Sequence, residues 1–318
     1  MYQVTAAIRA DESGHRVECS VPLPVPAAVV WDAISTGEGI SSWFVPCALE
    51  PQVGGRIVQF ADPGAPDPTT GPEAAAEAML TATVGEITVY SPPTTSAPGV
   101  FTYVERDWMG EGVPVPAWET TCEVVGNGED GDDDGCVLRL RSGFDTGGQL
   151  PEEALSGSVD GWAQALTVLA HRLTHRPADG VVTEIAATDP VQVTVPELWA
   201  RVASQLVAPA SGVGGGASAN AGAVARSGEV GGIVAAESEA SMTLILSGPA
   251  DGMLELFAFP AGDTHEDAAE RAALAVRVFE YVDVPGTDGS PLGEAAVDGE
   301  PTWDATRWRT WLGALITG

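Results

Sequence analysis

The residue spacings in this sequence that could support chemistry are few, and each is incomplete. Asp130-Gly131-Asp132-Asp133-Asp134-Gly135 sets oxygen ligands at alternate positions and a glycine at the sixth, as at the start of a calcium loop. The twelfth position, which needs a bidentate glutamate, is Arg141, and the turn falls between two strand patterns. A solvated hairpin tip is expected. His171 and His175 stand four apart on a helical pattern, but no third ligand has a useful spacing, and Arg172 and Arg176 add unfavourable charge. Their expected use is to complement the negative end of a helix. No metal site and no cofactor are expected.

Tyr90, Tyr103, Glu105 and Arg139 form the imaginable acid–base set, because such catalysis needs a titrating group within hydrogen-bond reach of a held substrate. A structural or surface role for all four competes with it. All 14 basic residues are arginine, so the lysine of a phosphate-cradling loop does not exist, and Gly212 to Gly216 spells no such loop. There is no G-x-S-x-G nucleophile elbow. Cys19, Cys47, Cys122 and Cys136 include no CxxC pair and are too few for a disulfide framework, so reduced thiols are expected.

The elements that must position these residues follow from periodicity. His15 to Leu23 alternates as a strand, Val25-Pro26 opens a helix through Thr36, and Ile40 to Phe44 reads as a second short helix capped by Ser41 and Ser42. Five strand patterns follow, at Arg56 to Phe60, Ala78 to Tyr90, Val100 to Trp108, Trp118 to Val125 and Cys136 to Ser142. Leu155, Val159, Trp162, Leu166, Leu169 and Leu173 then recur in steps of four and three over Pro151 to His175, the stripe of one long helix. The expected class is α+β, a helix lying across a curved antiparallel sheet.

The chain has 318 residues, 44% of them hydrophobic, a formal net charge of −31 and a mean hydropathy of +0.09. That is enough apolar material for a sizeable core and for two domains. The acidity is spread over both halves, and no basic stripe exists to neutralise phosphates, so a nucleic-acid partner is not expected. Met1 to Ser20 has no apolar export core, and no uncharged apolar run approaches the ~20 residues of a membrane span. A soluble cytoplasmic protein is expected, and the lack of lysine beside abundant Ala, Gly and Arg points to a GC-rich bacterial genome.

Fragments of the first half recur in order in the second: Val25-Pro26 with Trp31 against Val195-Pro196 with Trp199, Val53-Gly54-Gly55 against Val230-Gly231-Gly232, and Phe101-Thr102-Tyr103-Val104-Glu105 against Phe279-Glu280-Tyr281-Val282-Asp283. Trp303 to Ile316 reads as a closing helix. The order predicts a duplicated, degenerate domain, with residues 1–178 as one copy and 179–318 as the other. Residues 209–232, rich in Gly, Ala and Ser, read as a flexible loop.

Residues 15–175 resemble the SRPBCC superfamily, the START or Bet v 1-like group, and within it the branch named for the activator of Hsp90 ATPase (AHSA1-like). The resemblance rests on Val25-Pro26-Ala27-Ala28-Val29-Val30-Trp31-Asp32-Ala33-Ile34, then Gly39-Ile40-Ser41-Ser42-Trp43-Phe44, then Glu50-Pro51-Gln52-Val53-Gly54-Gly55, and on Gly161-Trp162 in the long helix. It implies a helix-grip fold, in two tandem copies if the repeat holds, with a cavity between helix and sheet. Trp43, Phe60, Tyr90, Phe101, Tyr103, Trp118, Phe144 and Trp162 are the candidate lining residues. Such a cavity suits a small hydrophobic or amphipathic ligand; the same aromatics could equally fill the space. Non-catalytic ligand binding leads. A co-chaperone role with a protein partner is the alternative, although the sequence shows no counterpart of the eukaryotic activator's amino-terminal Hsp90-binding domain. Cyclase-like catalysis in the same cavity is the third reading.

Overall fold

In Gly14–Leu23 the side chains of Val17, Cys19, Val21 and Leu23 are buried while Glu18 and Pro22 are exposed, the period of two that makes a strand with one wet face. This strand, β2, belongs to a computed structural model that describes residues 2–11, 14–60, 73, 79, 81–106, 116–126, 135–144, 152–176, 180–207, 222–261, 270–282 and 302–317. The chain divides into two compact units, Tyr2–Pro177 and Ala178–Gly318.

In the first unit β1 (Thr5–Asp11), β2, β3 (Cys47–Leu49), β4 (Arg56–Gln59), β5 (Thr83–Ser91), β6 (Gly99–Glu105), β7 (Trp118–Gly126) and β8 (Cys136–Phe144) form one antiparallel sheet in the order β1-β2-β8-β7-β6-β5-β4-β3. Helices α1 (Ala27–Ser35) and α2 (Gly37–Ser41) follow β2, and α3 (Glu152–His175) follows β8. Trp31 and Ile34 of α1 are buried, and α3 packs against β1 and β2 with Leu155, Leu166, Leu169 and Leu173 buried. Each such aliphatic side chain contributes roughly 1.5–3 kcal/mol by leaving water. The turn into β4 needs its glycines: Gly54 has φ +79°, and a Cβ on Gly55 would lie 2.2 Å from the Glu50 carbonyl oxygen.

The second unit is a separate antiparallel sheet of β9 (Gly180–Ala187), β10 (Val224–Ser227), β11 (Val230–Glu237), β12 (Ser241–Gly248), β13 (Gly252–Pro260) and β14 (Ala272–Val282), ordered β10-β11-β12-β13-β14-β9. Helices α4 (Val195–Leu206) and α5 (Ala305–Thr317) complete it. Thr194 starts α4 with a capping box, accepting from the Glu197 N–H while the Glu197 carboxylate takes the Thr194 N–H at 3.0 Å. Leu198, Trp199 and Val202 of α4 and Trp308, Trp311 and Leu312 of α5 share one core with Leu244, Leu254 and Val276.

The expected fold class is corrected by this architecture. The described residues form mainly antiparallel sheet, fourteen strands in sheets of eight and six against five helices, and not the expected α+β helix-grip fold. Among the described residues most pairs join strands consecutive in the chain; only β2 with β8 and β9 with β14 pair at long range, and β1, β3 and the six strands of the second unit add sheet that periodicity alone does not reveal. Of the matched fragments, Phe101 lies on β6, inside its sheet, and Phe279 lies on β14, the strand paired with β9. Gly54-Gly55 forms a turn, whereas Gly231-Gly232 lies within β11. Two smaller corrections follow. The second helix starts earlier than expected, because Thr36 caps it by accepting the Gly39 N–H at 3.0 Å. Residues 224–232 of the expected loop are the hairpin strands β10 and β11, with Val230 and Ala225 buried. No described helix is long and apolar enough to cross a membrane.

Candidate functional site

Antiparallel register places Phe144, Trp118, Glu105, Gly85 and Ile57 in one row across β8, β7, β6, β5 and β4. Tyr103, two residues before Glu105, faces the same way, next to Thr120 and Ser142 in the neighbouring row. Where these rows meet α3, a cleft of about 390 Å³ opens. Tyr103, Glu105, Trp118 and Thr120 form its wall, with Gln59 and Thr83 from β4 and β5. Phe44 and the α3 residues Ser158, Gly161 and Trp162 face them. Phe44 and Trp162 stack nearly parallel, ring centroids 4.9 Å apart at 15°. Below lies a small void of about 20 Å³ bounded by Trp43, Phe101, Cys122 and Ile34, among others.

The polar groups of the wall are partly tied to one another. Gln59 Nε2 donates to the Tyr103 hydroxyl at 3.1 Å, Trp118 Nε1 donates to Ser142 Oγ at 2.7 Å, and Thr120 and Ser142 share a bond of 2.8 Å. Glu105 differs from them. It is 8% exposed, and none of the ion pairs among the described residues involves it. Burial pushes its carboxyl up to about 7. The Tyr103 phenol is held well above its ordinary value, first by burial and then by the adjacent Glu105 carboxylate. Gly85 makes this placement possible, because a Cβ there would lie 2.9 Å from Ile57 Cγ2 and 3.3 Å from Glu105 Cγ.

Of the eight aromatic residues expected to line a cavity, Tyr103, Trp118 and Trp162 border the cleft, and Trp43 and Phe101 border the void beneath it. Phe144 packs edge-on against Trp118, next to it in the same row. Tyr90 packs edge-on against Trp31 and directs its hydroxyl to the Ser35 carbonyl, and Phe60 is half-buried beyond the end of β4; neither borders the cleft. Of the acid–base set only Tyr103 and Glu105 come together. Arg139 is on the other face of the sheet, paired with Glu123 at 3.3 Å. That face carries a hollow of about 440 Å³, but Arg9 pairs with Glu18 and Arg139 with Glu123 across it, so it reads as salt-bridged polar surface. His171 Nδ1 is bonded to the Tyr2 hydroxyl at 2.8 Å. The acidic turn at residues 130–134 and the glycines at 212–216 lie outside the described residues.

Phe44, Gln59, Thr83, Ser158 and Gly161 are not among the lining residues expected from sequence, although Phe44 and Gly161 stand in the motifs that carry the resemblance. Gly161 carried a signal: a glycine inside a helix costs roughly 1 kcal/mol against alanine, and no atom lies within 4 Å of where its Cβ would be.

No family model matches the chain, and no curated protein matches it. Solved structures do show a likeness. CalU16 from Micromonospora echinospora, as a crystal structure, is 18% identical over 54% of this chain and 83% of its own, with a TM-score of 0.35. DynU16, described as a protein of the dynemicin biosynthetic locus, is 17% identical over 83% of this chain and 86% of its own, also with a TM-score of 0.35. A conserved protein of unknown function from Enterococcus faecalis is 9% identical over 55% and 81%, with a TM-score of 0.36. Likeness at this level assigns neither a family nor a function.

Proposed function

We propose that the first unit binds a small hydrophobic or amphipathic molecule in the cleft between α3 and the sheet. The observation that carries the reading is the cleft itself: about 390 Å³ walled by Phe44, Trp118, Tyr103 and Trp162, with a few fixed polar groups, the usual make-up of a small-molecule site. The resemblance of residues 15–175 to the SRPBCC superfamily points the same way. Gly161 supports it too, since a side chain at that position would take up room at the cleft.

The reading is tested with an apolar fluorescent probe. Binding is expected to change tryptophan emission in the parent protein and to change it much less in Trp162→Phe. Gly161→Leu, which has open space for its Cβ, is expected to melt no lower than the parent and to lose probe affinity. A Gly161→Leu protein that binds as well as the parent argues against this cleft.

Cyclase-type catalysis is the second reading, favoured by one observation: Glu105, titrating near neutrality, and Tyr103 stand on the same wall. Recovery of a bound compound unchanged after prolonged incubation favours binding alone, and its conversion favours catalysis.

A further inference from the structure

We infer that the occupant of this cleft is a cation, an ammonium group on a flat apolar body, with its charge seated on the Glu105 carboxylate. The inference rests on the ligand-binding reading above and names the chemistry of the ligand.

Three observations converge on it. A carboxyl group is placed in the wall of an aromatic cleft, over Gly85, where a Cβ would crowd Ile57 at 2.9 Å, Tyr103 at 3.2 Å and the Glu105 stem at 3.3 Å. A buried carboxylate without a counter-charge is costly, and a bound ammonium would remove that cost through a charge-assisted hydrogen bond. Second, no arginine borders the cleft and the chain has no lysine, so an anionic ligand would meet no partner there. Third, Trp118, Trp162, Phe44 and Tyr103 surround the cleft with aromatic rings, which attract a cation as well as an apolar ring, and a net charge of −31 raises the local concentration of cations.

Proton linkage provides the readout. Besides Glu105, Tyr103 is the one ionisable side chain among the described residues lining the cleft, and burial keeps its proton in place through the neutral range. The β7 residues Trp118 and Thr120, Gln59 of β4, and Ser158 and Trp162 of α3 carry no charge. Below neutrality an ammonium must therefore displace the Glu105 proton, whereas an uncharged ligand, which desolvates the carboxyl further, displaces none.

The test compares 2-naphthylmethylamine with its uncharged analogue 2-naphthalenemethanol by calorimetry in buffers of different ionisation enthalpy. The parent is expected to bind the amine on the order of tenfold or more tighter than the alcohol at pH 8. At pH 6 the amine should release about one proton, falling towards none at pH 8.5, while the alcohol releases none. Glu105→Gln should lose the amine's advantage over the alcohol. Equal binding of the two probes by the parent, absence of proton release at pH 6, or an advantage that survives in Glu105→Gln would overturn the assignment. The proton count needs only the parent, so it decides the matter even where the variant folds poorly. Failure of both probes to bind the parent would overturn the ligand-binding reading itself.

Discussion

Glu105 is where the chain accepts a stability cost, and the cost has a sign. Its carboxyl titrates near 7 in the folded protein, against an ordinary value of 4.5, so the fold holds a proton there that the unfolded chain has already lost. Stability from this group is fully present below about pH 4.5 and is lost as pH rises through 7. Glu105→Gln is therefore expected to match the parent's unfolding free energy at pH 4.5 and to exceed it at pH 8 by up to about 3 kcal/mol. Denaturant titrations at the two pH values check this, and a variant less stable than the parent at pH 8 would show that the ionised carboxylate is compensated. Gly85 is the steric counterpart. Gly85→Ala must displace buried Ile57 or the Glu105 stem, so a loss of about 1–3 kcal/mol is expected. An unchanged melt would mean that the strands part easily at this point.

At the scale of elements, α3 contributes both packing and the far side of the cleft. Gly161→Ala should add about 0.5–1 kcal/mol, because the helix gains propensity and the new methyl meets nothing. A thermal melt that moves down would instead show that the glycine is needed by the backbone. How much of this was legible in sequence depended on distance along the chain. The alternation of β2, β7 and β8 and the stripe of α3 are readable because burial repeats within each element. β1 was missed because Thr5–Asp11 is built from small and charged residues, and the β10–β11 hairpin because Gly, Ala and Ser hide its pairing. The site followed the same rule. Tyr103 and Glu105 share a face by being two apart on one strand, which sequence shows, whereas Gln59 and Thr83 join them only through the β4–β5 register, which it does not.

For the whole molecule, the dominant fact is charge. Forty-five acidic residues against 14 arginines repel one another in the folded chain. Raising salt from about 0.01 M to 0.15 M shortens the screening length from about 30 to 8 Å, and the melting temperature should rise. A melt that falls over that range would mean that the ion pairs outweigh the repulsion. The same field should make association of a cationic probe slow with added salt while leaving an uncharged probe unaffected.

The central claim is that the cleft beside Glu105 holds a small molecule, and it is tested most directly by native mass spectrometry of the protein purified from its own host. Denaturing extraction would then identify what is released. The account predicts one apolar compound per chain, carrying a basic nitrogen and absent from a Gly161→Leu protein prepared in the same way. An unloaded parent protein, or a compound retained equally by that variant, would contradict it.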